Sequence, residues 1–179
     1  MTTLVDKVIA ICRSLDRGAL PHALGGALAL AYATEEPRGT RDIDVNVFVG
    51  SDRAASSFAA LPEPVRWTKA DVEAAKRDGQ VRLWWDDTPV DIFFAEAPFH
   101  HEANGRCRSV PFADVVVRVL SAEDLAVFKA LFDRPKDWLD IATMAEARAV
   151  DLGVAAERLA ELLDDDPRVA RLRNLDQPG

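Results

Sequence analysis

Hydrophobic residues recur along this chain with two different periods, and the change between them divides the sequence. Near the N-terminus, apolar residues lie three and four positions apart between Leu4 and Leu15, and Gly18 follows; this predicts a helix that ends at the glycine. Residues 42–49 instead alternate between polar and apolar and are rich in β-branched side chains, which predicts a strand. After Val119 helical spacing returns and continues to the end of the chain.

The same patterns predict the remaining elements, with strands concentrated first and helices last. The turn residues 86–88 between two apolar runs predict a β-hairpin. We therefore expect an α/β fold with a core in residues 1–120 and a C-terminal helical region in residues 121–179. The predicted strands are residues 42–49, 80–85, 89–94, 108–111 and 115–119, and the main predicted helices are residues 4–17, 27–34, 52–61, 69–77, 121–132, 135–150, 154–163 and 167–175.

Composition limits the classes of protein that fit. The chain has 179 residues, of which 49% are hydrophobic, and this is enough for one domain with a substantial core. Its formal charge of -8 argues against a broad electrostatic grip on nucleic acid, although a small basic site is compatible with it. Cys12 and Cys107 lack metal-ligand spacing and are predicted to be small buried hydrophobic residues. No basic leader and no apolar stretch of membrane-spanning length is present, so we expect a cytoplasmic protein without a membrane partner.

Three carboxylates stand out against apolar strands. Asp42 and Asp44 are two positions apart and therefore project to the same face of their strand. Asp91 interrupts the otherwise apolar strand 90–94, where an unpaired charge is costly. If these strands are neighbours, three carboxylates converge, and a bound divalent cation would remove their repulsion. The acidic run 164–166 provides a contrast, because it precedes Pro167 between two predicted helices and is interpreted as a solvated acidic cap.

A glycine pair precedes the second predicted helix. Gly25 and Gly26 follow a short apolar segment, so the backbone there can approach a ligand closely. The helix that follows offers free N–H groups to a phosphate. The pair belongs neither to a Walker loop nor to a Rossmann fingerprint, because the further residues of both motifs are absent. A tight turn without a ligand is the alternative interpretation.

Taken in order, the glycine pair, the Asp-Ile-Asp triplet and Val90-Asp91-Ile92 resemble the signature of the DNA polymerase beta-type nucleotidyltransferase superfamily. This resemblance implies a nucleotidyltransferase fold, which is a mixed β-sheet flanked by helices, here with a C-terminal helical extension. It also implies that an NTP is the substrate and that two Mg²⁺ ions are the cofactor. The implied metal ligands are Asp42, Asp44 and Asp91, and the implied triphosphate loop is Gly25 and Gly26.

The helical half resembles a narrower group, the AbiEii-type nucleotidyltransferases, which are best known as toxins of bacterial toxin–antitoxin systems. The resemblance rests on Thr40 before Asp42 and on a helix with Lys129 followed by Arg134 and a Lys-Asp-x-x-Asp motif. It implies that Thr40, Lys129 and Arg134 bind the nucleotide and that Asp137 orients or deprotonates the acceptor. From the residues alone, a snorkelling Lys129 and an Asp137 that caps a helix or pairs with a neighbour explain the segment equally well.

Three functions remain open at this stage. The first is transfer of NMP to RNA by a toxin with a cognate antitoxin. The resemblance to AbiEii-type enzymes implies that the RNA acceptor is a tRNA 3′ end. The second is the same chemistry on a small hydroxylated molecule such as an aminoglycoside or lincosamide antibiotic, which the acidic composition favours. The third is a module that binds a nucleotide without catalysis.

Three further motifs carry no assigned chemistry. The stretch from Ser121 to Asp124 resembles a helix-capping box. The adjacent histidines 100 and 101 point in different directions and are expected to have a surface or loop role rather than to bind a metal. Three arginines near the C-terminus form either a solvated helix face or a basic patch that steers an RNA end or a partner; they are Arg168, Arg171 and Arg173.

Overall fold

The computed structural model of the chain describes residues 2–175 and confirms the predicted mixed α/β fold. Its strands are β1 (His22–Leu24), β2 (Ile43–Val47), β3 (Val65–Arg66), β4 (Gln80–Trp85), β5 (Thr88–Phe94), β6 (Arg108–Phe112) and β7 (Val115–Val119). Its helices are α1 (Leu4–Arg17), α2 (Gly26–Thr34), α3 (Ala54–Ala59), α4 (Lys69–Asp78), α5 (Pro98–Arg106), α6 (Ala122–Phe132), α7 (Pro135–Glu146), α8 (Leu152–Leu162) and α9 (Pro167–Asn174).

Within residues 2–175 the strands form one seven-stranded sheet in the order β3-β4-β5-β2-β1-β7-β6. The pairs β2–β5 and β1–β7 are parallel and the other pairs are antiparallel, so the sheet is mixed. The predicted hairpin of β4 and β5 is present, and Asp86 adopts a left-handed conformation in its turn (φ 53°). The central strand β2 places Ile43, Val45 and Val47 in the core, which leaves its other face for polar side chains.

Most predicted boundaries are correct to within a few residues because capping residues set them. Thr3 and Asp6 form a capping box at the start of α1, and Gly18 ends that helix. Helix α7 stops at Glu146 rather than at residue 150, because Arg148 adopts a left-handed conformation (φ 54°) that turns the chain away. Asp151 then caps α8 with its side chain, so that helix begins at Leu152.

Three parts of the sequence prediction differ from the structure. The predicted helix 52–61 is a 3-10 turn, Ser51–Arg53, followed by the short helix α3. Strands β1 and β3 were not predicted, because three and two residues are too few to show a period. Helix α5 was not predicted either and contains both histidines, so they lie on a helix and not in a loop; His101 is exposed, as the surface alternative expects. The amphipathic pattern of α5 is weak, and its start is marked only by Pro98 at the first helical position.

The expected capping box at the start of α6 is only half formed. Ser121 accepts a hydrogen bond from the backbone N–H of Asp124 (3.1 Å), as predicted. The Asp124 side chain does not return to the cap, because it is fully buried and accepts hydrogen bonds from Arg106 (2.9 Å) and Arg158 (2.9 Å). This buried ion cluster joins α6 to α5 and α8.

One continuous cluster of buried hydrophobic residues extends from Val8 to Leu172. Helix α2 of the predicted core packs against α6 and α7 of the predicted helical region. The proposed boundary between residues 120 and 121 stays a prediction, and residues 176–179 of that region lie outside the described part of the chain. Among the described helices, none combines the length and the apolar character needed to cross a bilayer.

Candidate active site

The parallel pairing of β2 with β5 brings the predicted carboxylates together. Asp44 lies directly opposite Asp91 in this pairing, with Ile43 opposite Val90 and Val45 opposite Ile92. The flanking apolar residues face the core, so both carboxylates project from the other face of the sheet. Asp42 precedes β2 by one residue and lies on the same side as Asp44, within 3.6 Å of an arginine that also contacts Asp91. These three residues form what we call the acidic wall.

The glycine pair lies against this wall. The N–H of Gly25 donates to the carbonyl oxygen of Asp44 (2.9 Å), and α2 begins at Gly26. Gly26 has a positive φ of 51°, and a Cβ atom placed on it would lie 1.8 Å from Oδ2 of Asp44. Only glycine therefore fits between the helix and the carboxylate. The sequence predicted a close backbone approach at this pair. In the structure the backbone of Gly26 lies against the carboxylate of Asp44, which is a metal-ligand candidate.

The electrostatics of the acidic wall are uneven. Burial raises the pKa of Asp44 to about 6, and the charges of Asp91 and Asp42 add to this effect. Lys129 and Lys136 act in the opposite direction. Among the described residues, the ion pairs at the wall involve Asp91 and Asp42 and none includes Asp44. Asp44 is therefore a half-buried carboxylate whose charge is only weakly compensated.

Arg82 is a site residue that the sequence analysis missed. It lies opposite Asp91 in the antiparallel pairing of β4 with β5. Its Nε and Nη2 atoms donate to the two carboxylate oxygens of Asp91, both at 2.7 Å, and Nη2 lies 3.6 Å from Asp42. A signal was available, because a hairpin centred on the Asp86-Asp87 turn sets residues 82 and 91 across from each other.

Facing the acidic wall is a set of cations from the C-terminal helices, which we call the basic wall: Lys129, Arg134 and Lys136. The Nζ atom of Lys129 lies 2.7 Å from Oδ2 of Asp140 and 3.7 Å from Oδ1 of Asp137. Arg134 Nε donates to Oδ2 of Asp137 (2.6 Å). Asp137 is only 1% exposed. Arg134 and Lys136 are exposed, whereas Lys129 is buried and held in place by its two acidic neighbours.

Thr40 and Asp140 organise the loop that leads into β2. The hydroxyl of Thr40 donates to the carbonyl oxygen of Asp42 (3.1 Å) and accepts from its N–H (3.2 Å). Arg38 donates to Asp140 (2.7 Å), which also holds Lys129. The loop before the Asp-Ile-Asp triplet is thereby attached to helix α7, which carries Lys136 of the basic wall. Thr40 contacts the backbone of a metal-ligand candidate; its predicted contact with the nucleotide stays a prediction.

The two walls enclose a cleft of about 800 Å³. Eight of the residues predicted from sequence line it together, while Gly25 lies directly behind the lining. The eight are Gly26, Thr40, Asp42, Asp44, Asp91, Lys129, Arg134 and Asp137. Residues far apart in the chain thus meet in one cavity, although the roles assigned to them individually stay predictions.

The acidic wall suits a hard divalent cation. Oxygen ligands from carboxylates are those that Mg²⁺ prefers, and a raised pKa at Asp44 indicates a carboxylate that an added cation would stabilise. Within residues 2–175 no three His, Cys, Asp or Glu side chains already surround a single point. At Asp91 both carboxylate oxygens accept hydrogen bonds from Arg82. The ligand types of the acidic wall are those that Mg²⁺ prefers.

Comparison with solved structures assigns the fold to the nucleotidyltransferase class. The antibiotic-resistance factor ANT(2″)-Ia, solved in solution, matches over 97% of this chain and 96% of its own, with 20% identity and a TM-score of 0.63. Its crystal structure with adenylyl-2″-tobramycin matches over 97% of each chain, with 19% identity and a TM-score of 0.57. An antigenic nucleotidyltransferase-like protein from Paracoccidioides brasiliensis matches over 98% of this chain and 94% of its own, with 15% identity and a TM-score of 0.55.

No family model and no curated protein matches the sequence. At identities of 15–20% the structural likeness establishes the fold and leaves the reaction to be argued from the site. The predicted superfamily fold is confirmed. The narrower resemblance to AbiEii-type enzymes receives no support from these matches and stays a prediction.

Proposed function

We propose that this chain is a Mg²⁺-dependent nucleotidyltransferase, which transfers NMP from an NTP to a hydroxyl group of an acceptor. The observation that carries the proposal is the pairing of Asp44 with Asp91 directly against Gly26. A triphosphate bound at the start of α2 would lie beside the carboxylates that hold its metal ions. Asp42, Asp44 and Asp91 are the ligands we assign to two Mg²⁺ ions.

When bound, the two ions supply charge that offsets the charge developing on the transferred phosphorus and lower the pKa of the attacking hydroxyl. The acceptor oxygen forms a bond to the α-phosphorus, the bond from that phosphorus to the bridging oxygen breaks, and pyrophosphate leaves. The hydroxyl proton passes to a carboxylate of the acidic wall. The N–H groups at the start of α2 and the ammonium of Lys129 are positioned to bind the triphosphate.

Asp137 is a buried carboxylate whose oxygens are held by a neighbouring arginine. It is 1% exposed, and its two oxygens accept hydrogen bonds from Arg134 at 2.6 and 3.1 Å. This supports an orienting role, in which Asp137 holds Arg134 and Lys129 in place for the nucleotide. Direct deprotonation of the acceptor by Asp137 stays a prediction and would require release of Arg134.

For the acceptor we favour a small hydroxylated cation, of which aminoglycosides are the model. The whole chain has a formal charge of -8, and this attracts a polycation and repels RNA. The end-to-end likeness to ANT(2″)-Ia, a structure of which contains adenylyl-2″-tobramycin, is consistent with a small acceptor. The C-terminal arginines add little for RNA, because Arg168 is paired with Asp166 and Arg171 stacks on Trp138 at 4.0 Å.

An RNA acceptor, such as a tRNA 3′ end modified by a toxin with a cognate antitoxin, is the second candidate. It is favoured by the exposed cations at the mouth of the cleft, which are Arg41, Arg134 and Lys136. A local basic group of this kind can bind a single-stranded end without a basic surface elsewhere. A non-catalytic nucleotide-binding module is the least favoured, because a binding site has no need for three adjacent carboxylates.

The test is a two-acceptor assay with purified protein, Mg²⁺ and each of the four labelled NTPs. One arm contains a panel of aminoglycosides and lincosamides, and the other contains total tRNA. Pyrophosphate release together with a labelled small-molecule product supports the favoured acceptor, whereas labelled tRNA supports the second. Nucleotide binding without pyrophosphate release in either arm, identical for the parent and for Asp44→Asn, would make the chain a binding module.

A further inference from the structure

We infer that Arg82 is a displaceable counter-ion, which occupies the metal-binding oxygens of Asp91 until a divalent cation replaces it. The inference rests on the proposed function, because it assumes that the acidic wall is a metal site. Arg82 does not belong to the sequence signature, and its displacement would precede catalysis. In this exchange Asp91 loses its contact with the guanidinium and binds a metal ion instead.

The geometry sets the arginine and a metal ion in competition at Asp91. Arg82 Nε donates to Oδ1 and Nη2 donates to Oδ2, each at 2.7 Å, so one guanidinium contacts both oxygens. Each oxygen keeps a second lone pair, but a Mg²⁺ ion with ligand oxygens at about 2.0–2.1 Å would lie close to the guanidinium. The two cations would also repel each other strongly at such a separation.

The pair is placed by the backbone. The register of the β4–β5 hairpin sets Arg82 opposite Asp91, and the β2–β5 register sets Asp44 on the other side of Asp91. Asp91 therefore has a cation on one flank and a carboxylate on the other. Nη2 of Arg82 also lies 3.6 Å from Asp42, so one guanidinium partly neutralises two of the three carboxylates.

Arg82 is free enough to leave. Its side chain is 50% exposed, whereas that of Asp91 is 16% exposed. The carboxylate is thus fixed on the strand, and the arginine approaches it from the solvent side of the cleft. A guanidinium released here stays within the lining of the cavity in which the triphosphate would lie, and its planar fork matches phosphate oxygens as well as it matches a carboxylate.

This arrangement would link metal binding to nucleotide binding. Without nucleotide, a cation must displace Arg82 and leaves it unpaired, which weakens metal binding. With an NTP present, the displaced guanidinium can pair with a phosphate, so Arg82 is no longer left unpaired and metal binding is not weakened on that account. The predicted consequence is that the nucleotide-free protein binds divalent cations poorly and that removal of the Arg82 charge improves binding.

The experiment measures Mn²⁺ binding to the nucleotide-free protein by electron paramagnetic resonance, with Mn²⁺ as a probe of the Mg²⁺ site. Arg82→Gln removes the charge and is expected to tighten Mn²⁺ binding about tenfold or more. A charge in direct contact with a carboxylate shifts its proton-binding constant by about tenfold or more, and we expect a similar effect on metal binding. Arg82→Lys keeps a charge and is expected to stay within about threefold of the parent, because only the fork is lost. Arg168→Gln is the matched control, because Arg168 forms the same two-bond pair with Asp166 at 2.8 Å outside the cleft.

A second measurement guards against a folding defect. In EDTA, Arg82→Gln is expected to lower the melting temperature by about 2–4 °C, because Asp91 and Asp42 are then left without their counter-ion. Added Mn²⁺ should raise the melting temperature of this variant more than that of the parent. If the parent binds Mn²⁺ and Arg82→Gln binds it no more tightly, Arg82 is not a displaceable counter-ion and this inference alone fails. If neither protein binds Mn²⁺, the metal centre of the proposed function fails as well.

Discussion

Asp44 and Asp91 lie side by side in the parallel pairing of β2 with β5, and the pKa of Asp44 is raised to about 6. Burial is the first cause, and the neighbouring charges of Asp91 and Asp42 follow. Ionisation of Asp44 at neutral pH therefore lowers the free energy of unfolding of the metal-free protein.

In EDTA, the contribution of Asp44 to the free energy of unfolding should fall as the pH rises from about 4 to about 7. The folded state binds the Asp44 proton more tightly than the unfolded state does, so the stability that this proton provides is lost as the pH passes through the folded pKa of about 6. The loss is at most about 3 kcal/mol, and solvent in the open cleft reduces it. Urea denaturation at a series of pH values measures it.

Asp44→Asn is the matched variant for this titration. It cannot ionise, so its unfolding free energy should lack this part of the pH dependence, and Mg²⁺ should no longer raise its stability. A decline with the same slope in both proteins over this pH range would show that another group is responsible.

Gly26→Ala should abolish metal and nucleotide binding. Its Cβ would lie 1.8 Å from Oδ2 and 2.4 Å from Cγ of Asp44, and the positive φ of 51° adds backbone strain. Either the carboxylate or the start of α2 must move. Mn²⁺ binding and the melting temperature are the measurements.

Gly39→Ala is the control for this change. Gly39 also lines the cleft, but a Cβ there meets nothing within 4 Å. It is expected to retain metal binding at the parental level. Equal loss of Mn²⁺ binding in both variants would mean that the loss does not come from contact between the added Cβ atom and Asp44.

Lys129→Gln should weaken NTP binding about tenfold to a hundredfold, because a charge-assisted hydrogen bond is worth about 1.5–3 kcal/mol. Lys129 is buried and held by Asp140 at 2.7 Å, so its ammonium is fixed toward the cleft. Binding of a non-hydrolysable NTP, followed by calorimetry, measures the effect. Lys76→Gln, on the exposed side of α4, is the control and should bind as the parent does.

Asp124→Asn should destabilise the protein by about 3–5 kcal/mol, since removal of one member of a buried ion cluster leaves the others uncompensated. Asp124 is fully buried and accepts hydrogen bonds from Arg106 and Arg158. Urea denaturation measures the change. Asp114→Asn, at an exposed turn position, should leave stability within about 0.5 kcal/mol of the parent. Similar losses in both variants would contradict a special role for the buried cluster.

Periodicity was sufficient for most of the fold. The alternation in residues 42–49 and the apolar runs around the Asp86-Asp87 turn predicted β2, β4 and β5, and β2 and β5 carry Asp44 and Asp91. The convergence of Asp44 and Asp91 needed one further assumption, that β2 and β5 are neighbours. Sequence patterns contain no direct information on that pairing, because it joins segments that are distant in the chain.

The parts that were missed depend on partners rather than on local pattern. Asp124 resembles a capping residue in sequence, yet two arginines from other helices take its carboxylate. Arg82 was not among the predicted site residues, and the hairpin register places it opposite Asp91. Asp137 has the right motif, but its burial with Arg134 decides how it can act. In each case a long-range contact outweighs the local preference.

The parallel register of β2 with β5 also has a consequence for folding. A parallel pair cannot close through a tight turn, so β2 and β5 are joined by a long connection that includes α3, β3, α4 and β4. Such non-local pairings form slowly and late. A partly folded chain in which the β4–β5 hairpin has not docked on β2 presents Asp91 without Asp44. A divalent cation held by both strands would therefore bind the finished fold in preference to its intermediates and shift the population toward it.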